Sequence, residues 1–143
     1  MKKQEVKKYS FDIKIIDIYL KELIIENVED ELNSNLFTFE FVINAKIDPN
    51  PNHNRVTLDL TTKVFSDKTK ELYLAKMESQ GIFEIINLDK VVEEHGGVPN
   101  MILANFAGAM VSTTRGFMRL KSEGTIIDKA IIPFIDPNSF FKE

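Results

Sequence analysis

The sequence predicts an α+β fold in which a four-stranded antiparallel sheet is followed by one long helix, with no closing helix at the C-terminal end. Apolar and polar residues alternate through the first two thirds of the chain, and turn-forming residues separate these stretches. Near residue 100 the apolar period changes to three and four, which is typical of a helix. The 143 residues suit a single domain, residues 1–143, because a domain of this size buries roughly 70% of its unfolded surface.

The first predicted strand follows a basic tail, residues 1–8, which we expect to be flexible. Apolar residues alternate from Tyr9 to Ile15, and the alternation shifts by one residue at Ile16 before it continues to Leu20. A shift of one residue within a strand indicates a β-bulge, because the side-chain period of a strand is two. The polar and acidic residues 26–35 are predicted to form a connection.

The second predicted strand has the clearest alternation in the chain. Its apolar face consists of Phe37, Phe39, Phe41, Ile43, Ala45 and Ile47. A turn rich in Asn and Pro, residues 48–54, separates it from a third strand, residues 56–64. A fourth strand is predicted for residues 71–86, bent or interrupted at Gly81. Short turns between successive strands favour a meander, so we predict an antiparallel sheet within residues 9–86.

A long helix is predicted for residues 100–123, with Asn100 as its N-cap. One face of this helix is apolar and carries Leu103, Phe106, Ala107, Met110, Val111 and Thr114. The last segment, residues 130–141, is predicted to be extended, because Pro133 and Pro137 are incompatible with a helix there.

Composition argues against several classes of function. The chain has no cysteine, which excludes disulfides, thiolate catalysis and zinc or iron–sulfur sites built on cysteine. Its net charge of −4 argues against nucleic acid as the main partner. His53 and His95 lie in predicted turns without spaced acidic partners, and no phosphate-binding or dinucleotide-binding motif occurs. No apolar run approaches the roughly 20 residues of a membrane span. We therefore expect a cytoplasmic protein that is not an enzyme, has no metal or cofactor, and does not insert into a membrane.

Four segments together resemble the SecB family of protein-export chaperones: residues 79–85, 98–103, 113–117 and 131–135. The second, Val98-Pro99-Asn100-Met101-Ile102-Leu103, is similar to the opening of the long helix in that family. The third is similar to the end of that helix, and the fourth to the apolar, proline-containing stretch that follows it. Their order and spacing extend the resemblance over residues 9–141.

The resemblance implies a holdase chaperone that works without ATP and binds unfolded polypeptides or preproteins in apolar grooves for export. It also implies self-assembly as a dimer of dimers, with the SecA motor as a further partner. The client-binding residues it implies are Phe37, Phe39, Phe41, Phe134 and Ile135, although the three strand phenylalanines also suit an ordinary core. The oligomer-interface residues it implies are Ala75, Met77, Ser79, Phe106 and Met110.

The residues themselves also favour assembly. On the fourth strand Tyr73, Ala75 and Met77 are predicted to face one way and Leu72 and Leu74 the other, so both faces are partly apolar and need cover. The chain departs from the SecB pattern in lacking the final helix and acidic tail that contact SecA, and in carrying an additional segment at about residues 120–129. Lys76 also occupies a position that typically holds a carboxylate. SecA therefore stays an open question as a partner.

Two other hypotheses remain open at this point. One is a SecB-like chaperone dedicated to a single client, such as an antitoxin. The other, from a different class, is a ligand-binding or purely structural oligomer that has the fold without the chaperone role.

Overall fold

The computed structural model describes residues 12–26, 39–66 and 73–141. Within them the chain forms four strands and two α-helices, as the sequence predicts for an α+β fold with an antiparallel sheet. The elements are β1 (Ile13–Ile25), β2 (Phe39–Asn50), β3 (Arg55–Ser66), β4 (Tyr73–Ile85), α1 (Leu88–His95) and α2 (Asn100–Lys121), with short 3-10 helices at Pro51–His53 and Pro137–Phe141.

The strand order in the sheet is β1-β4-β3-β2, and every neighbouring pair is antiparallel. The predicted meander is therefore wrong for β1, which lies beside β4 instead of β2. Strands β2, β3 and β4 lie side by side in chain order, and β1 lies beside β4. This arrangement is a Greek key. Strands β1 and β2 consequently form the two edges of the sheet.

Two irregularities interrupt the pairing of β1 with β4. Ile15 pairs with Phe83 and Asp17 with Ile82, so Ile16 is the additional residue. This bulge confirms the phase shift seen in the sequence. A second one places Lys21 between the paired residues Leu20 and Glu22.

The two faces of the sheet differ sharply in burial. Alternate residues of β3, from Val56 to Ser66, are buried on the face that α2 covers, which we call the inner face. The intervening residues of β3 lie on the outer face and are partly exposed.

Strand β4 runs without a break through Gly81, contrary to the predicted bend. Its register shifts instead between Ala75 and Tyr73, which leaves Leu74 as the additional residue. Tyr73 therefore pairs with Phe65 on the outer face and does not share a face with Ala75, as the simple alternation had predicted.

Helix α1 is an element that the sequence prediction missed. Leu88 and Val91 are its buried residues, and the backbone N–H of Leu88 donates to the side-chain oxygen of Asn54 at 3.1 Å. The helix ends at Gly96, whose φ of 73° is the left-handed conformation typical of a glycine after a helix. The N–H of Gly96 donates to the carbonyl of Val92 at 2.8 Å.

Helix α2 lies across the inner face, where it packs against β4, β1 and β3. The rings of Phe83 and Phe106 stack at 4.0 Å between this helix and the sheet. Gly81 permits the close approach, because a Cβ at that position would lie 2.4 Å from the sulfur of Met110 and 2.6 Å from the Phe83 ring. Pro99 is the N-cap residue, so the predicted capping role of Asn100 is wrong.

After α2 the chain turns back and runs along the helix in the opposite direction. Residues 130–136 form neither helix nor strand, and a short 3-10 helix, Pro137–Phe141, follows where the sequence predicted that the extended segment continues to residue 141. We call residues 133–141 the strap. Within the described ranges, no helix is both long enough and apolar enough to cross a membrane.

Candidate client-binding groove

An apolar groove opens between the inner face of β2 and the strap. Its volume is about 300 Å³. The lining residues are Phe41, Ile43, Pro133, Ile135, Ser139 and Phe140. None of them carries a charge, so the groove offers apolar surface together with one hydroxyl.

Strand β2 can line a groove because it is only half covered. Alternate residues from Phe39 to Ile47 face inwards and pack against the core, yet all of them remain partly exposed. Their counterparts on β3, such as Leu58 and Leu60, are fully buried, because they lie closer to α2. The half-buried inner side of β2 is therefore an apolar surface that is available for further contacts.

Two predicted client-binding residues meet in this groove: Phe41 from β2 and Ile135 from the strap. Phe39 shares the inner face with Phe41 and is half-buried, but it does not line the groove. Phe134 does not line it either, and its side chain is 95% exposed. Phe37 lies outside the described residues. The binding role of these residues stays a prediction.

Sequence reasoning missed the other four lining residues. Ile43 could have been found, because it continues the same face of the strand two residues after Phe41. Pro133, Ser139 and Phe140 depend on the return of the strap over β2, and no local pattern encodes that path.

The predicted oligomer-interface residues all lie in the core of one chain. Ala75, Met77, Ser79, Phe106 and Met110 are at most 3% exposed, between the sheet and α2. The hydroxyls of Ser79 and Thr114 lie 2.7 Å apart, which links β4 to the helix. An effect of these residues on assembly stays a prediction, and it would have to act through the packing of α2.

The fold is similar to that of a solved chaperone complex. Over 86% of this chain and 90% of the other, it matches the Mycobacterium tuberculosis Rv1957 SecB-like chaperone in complex with a ChAD peptide from the Rv1956 HigA1 antitoxin, with a TM-score of 0.55 and 10% sequence identity. Neither a protein-family model nor a curated protein sequence matches the chain. At this identity the likeness concerns the fold.

The outer face of the sheet is largely polar. Gln80 bridges β1 and β3: the Tyr19 hydroxyl donates to its side-chain oxygen, and its amide nitrogen donates to Asp59 at 2.8 Å. Arg55 forms an ion pair with Glu84 on the same face. This polarity differs from the two partly apolar faces predicted for β4, and it removes that argument for assembly.

Two lysines face each other on the outer face of the sheet. Lys76 stands directly opposite Lys63 in the β3–β4 ladder, and its ammonium lies 3.0 Å from the carboxylate of Glu78. The hydrogen bond to Glu78 raises the pKa of Lys76. Nearby, burial raises the pKa of the Tyr73 phenol.

The β1 edge carries a second apolar surface. Ile13, Ile15 and Ile16 are each at least 40% exposed, and Ile86 at the end of β4 is similarly open. Ile13 and Ile86 lie close along the backbone, since Ile13 pairs with Ile85 and the N–H of Ile86 donates to the carbonyl of Asp12.

The described residues offer no obvious metal site. Within ranges 12–26, 39–66 and 73–141, no group of three His, Asp or Glu residues could hold an ion.

Proposed function

We propose that this protein is a holdase chaperone that binds unfolded polypeptide in the groove between β2 and the strap, without ATP. The observation that carries the proposal is an uncharged, partly open apolar groove on a fold shared with a SecB-like chaperone.

The chemistry of the groove suits clients that share no sequence motif. Burying apolar surface releases about 25 cal/mol for each Å² and requires only apolar side chains on the partner. Phe41 supplies rigid aromatic area on the β2 wall of the groove. An unfolded chain exposes apolar residues that a folded protein hides, so the groove favours unfolded over folded partners.

The protein is expected to slow the aggregation of a denatured model protein, such as citrate synthase diluted from guanidinium chloride. Light scattering during dilution measures the effect. The protection should persist at high salt, because apolar burial is not screened by ions as exposed charge pairs are. ATP and EDTA should leave it unchanged.

A folded protein without chaperone activity, added at the same mass concentration, is the control. Scattering traces that coincide with and without this protein would overturn the holdase proposal. Protection that disappears with added salt would instead indicate recognition by charge.

A chaperone dedicated to one client is the second candidate function. It is favoured by the solved structure of similar fold, which holds a peptide of an antitoxin. Competition separates the two candidates: unrelated unfolded proteins should displace a labelled client from a general holdase, and should fail to displace it from a dedicated one.

We also propose that the protein associates with itself through the β1 edge, where Ile13, Ile15, Ile16 and Ile86 are exposed and β1 has no second neighbour among the described strands. A dimer or a dimer of dimers is expected. Multi-angle light scattering should then return a multiple of 16.4 kDa at micromolar concentration. A monomer at that concentration would contradict the assembly without affecting the groove.

We place this activity in the cytoplasm and limit it to holding the client. Lys76, opposite Lys63, stands where the SecB resemblance implies a carboxylate on the surface that meets SecA. Delivery to SecA is therefore not part of the proposal.

A further inference from the structure

Among the described residues, the strap makes its shortest hydrogen bonds to the rest of the chain where it begins. The Arg115 side chain donates to the carbonyls of Ile132 and Pro133 at 2.9 and 3.0 Å. Further along, the amide of Asn100 donates to the carbonyl of Phe141 at 3.4 Å, which is at the long limit for a hydrogen bond. The guanidinium contacts are thus the shorter hydrogen bonds, and they fix the strap at Ile132 and Pro133.

Between these two points the strap depends on apolar contacts and on its own turn. Pro137 packs against Gly108 of α2, while Ile135 and Phe140 are half-buried against the core. The strap's other hydrogen bonds are internal: the backbone N–H groups of Asn138 and Ser139 both donate to Asp136, at 3.0 Å. They stabilise the shape of the strap without attaching it to the sheet.

With the strap in place, the groove includes only Phe41 and Ile43 of the inner face of β2. Its volume of about 300 Å³ is at the lower end of the range for small-molecule sites. An extended segment of six residues is about 20 Å long and carries three side chains on each face. The groove itself therefore suits one or two side chains, and displacement of the strap would join it to the rest of the half-exposed inner face of β2.

We propose that the strap is a built-in competitor of the client: Ile135 and Phe140 cover the apolar side of β2, and a client binds by displacing them. This inference rests on the proposed function. It identifies the strap as the element that sets client affinity, since the apparent affinity is reduced by the fraction of molecules in which the strap is closed.

A disulfide can lock the strap in its closed position. A Cβ at Gly108 would lie 4.0 Å from the Cβ of Pro137, within the range of about 3.5–4.5 Å that a disulfide requires. The chain has no cysteine, so Gly108→Cys with Pro137→Cys would create a single possible bridge. The probe is a fluorescently labelled, permanently unfolded client without cysteine, and fluorescence anisotropy measures its affinity.

The oxidised double variant is expected to bind the client at least about tenfold more weakly than the same protein after reduction. Each single cysteine variant, oxidised and reduced in parallel, controls for the substitutions and for the redox reagents. Equal affinity in the two states, with the bridge verified by mass spectrometry, would overturn the inference and leave the holdase proposal intact. Absence of binding by every protein, the wild type included, would overturn both.

A pair of glycine variants gives an independent test that needs no disulfide. In Gly108→Ala the new Cβ meets Pro137 Cγ at 3.3 Å, whereas at Gly116 on the same helix nothing lies within 4 Å. Both substitutions raise the helix propensity of α2, but only Gly108→Ala disturbs the contact between the helix and Pro137 of the strap. Gly108→Ala is expected to raise client affinity above that of Gly116→Ala, and equal or lower affinity would contradict a competing strap.

Discussion

Replacing Met77 by aspartate is expected to lower the free energy of unfolding by about 3–5 kcal/mol. Met77 is 1% exposed on the inner face, where Thr62 and Leu23 flank it in the ladder. An unpaired buried carboxylate lowers the free energy of unfolding by about 3–5 kcal/mol. A protonated carboxyl group would still lose the packing contacts of the Met77 thioether. Such a loss is a large part of the roughly 5–15 kcal/mol by which a domain of this kind is stable.

Urea denaturation followed by circular dichroism measures the effect of Met77→Asp. Met77→Leu is the conservative control, expected to cost less than about 1.5 kcal/mol because it nearly conserves volume. If Met77→Asp stayed folded and only lost its oligomeric mass, Met77 would act at an interface between copies, as the SecB resemblance implies. A change in the free energy of unfolding would instead establish it as a core residue.

Replacing Phe41 by alanine is expected to weaken client binding about 10- to 30-fold, the loss typical of a central aromatic contact. Phe41 lines the groove and remains partly exposed, so its ring has surface left to bury against a client. For the same reason the cost in stability should fall below the roughly 3–5 kcal/mol of a fully buried phenylalanine.

Val42→Ala is the matched control for Phe41→Ala. Val42 is the next residue on β2, faces the opposite side of the sheet and is 45% exposed. It should therefore leave affinity and stability nearly unchanged. If Phe41→Ala lost stability like a core residue while the remaining folded protein bound clients normally, Phe41 would be core and the groove would lie elsewhere.

Local patterns predicted much of this fold because they report local physics. The one-residue phase shift at Ile16 predicted the bulge that the structure shows there. The helical spacing of Leu103, Phe106 and Met110 predicted the buried side of α2. Helix α1 was missed, although Leu88, Val91 and Val92 have helical spacing before Gly96, because eight residues give only a short periodic signal.

Features that depend on distant partners could not be predicted. Alternation in β1 indicates a strand but not its neighbour, and a connection as long as residues 26–38 permits either edge of the sheet. The shift at Leu74 exists only relative to β3, and it decides that Tyr73 faces outwards.

The lining residues of the groove also fall into two groups, those that local patterns predict and those that depend on distant contacts. Phe41 and Ile135 follow from strand alternation and from the SecB resemblance, and the structure brings them to one groove. Phe140 is brought there by the return of the strap, which depends on the anchor between Arg115 and the carbonyls of Ile132 and Pro133. A hydrogen bond between a side chain and a backbone group 17 or 18 residues further on leaves no periodic pattern in a sequence.

The two bulges in β1 have a consequence for the aggregation of the protein itself. An unbroken edge strand of 13 residues offers free backbone N–H and C=O groups with which an apolar segment of another chain can pair. Such pairing can start the growth of amyloid. Ile16 and Lys21 divide this edge into regular stretches of three, four and four residues: 13–15, 17–20 and 22–25. An arbitrary strand cannot stay in register across them, whereas an identical strand carries matching interruptions. An edge of this kind pairs more readily with its own copy than with an unrelated strand, and so resists recruitment into deposits formed by other chains.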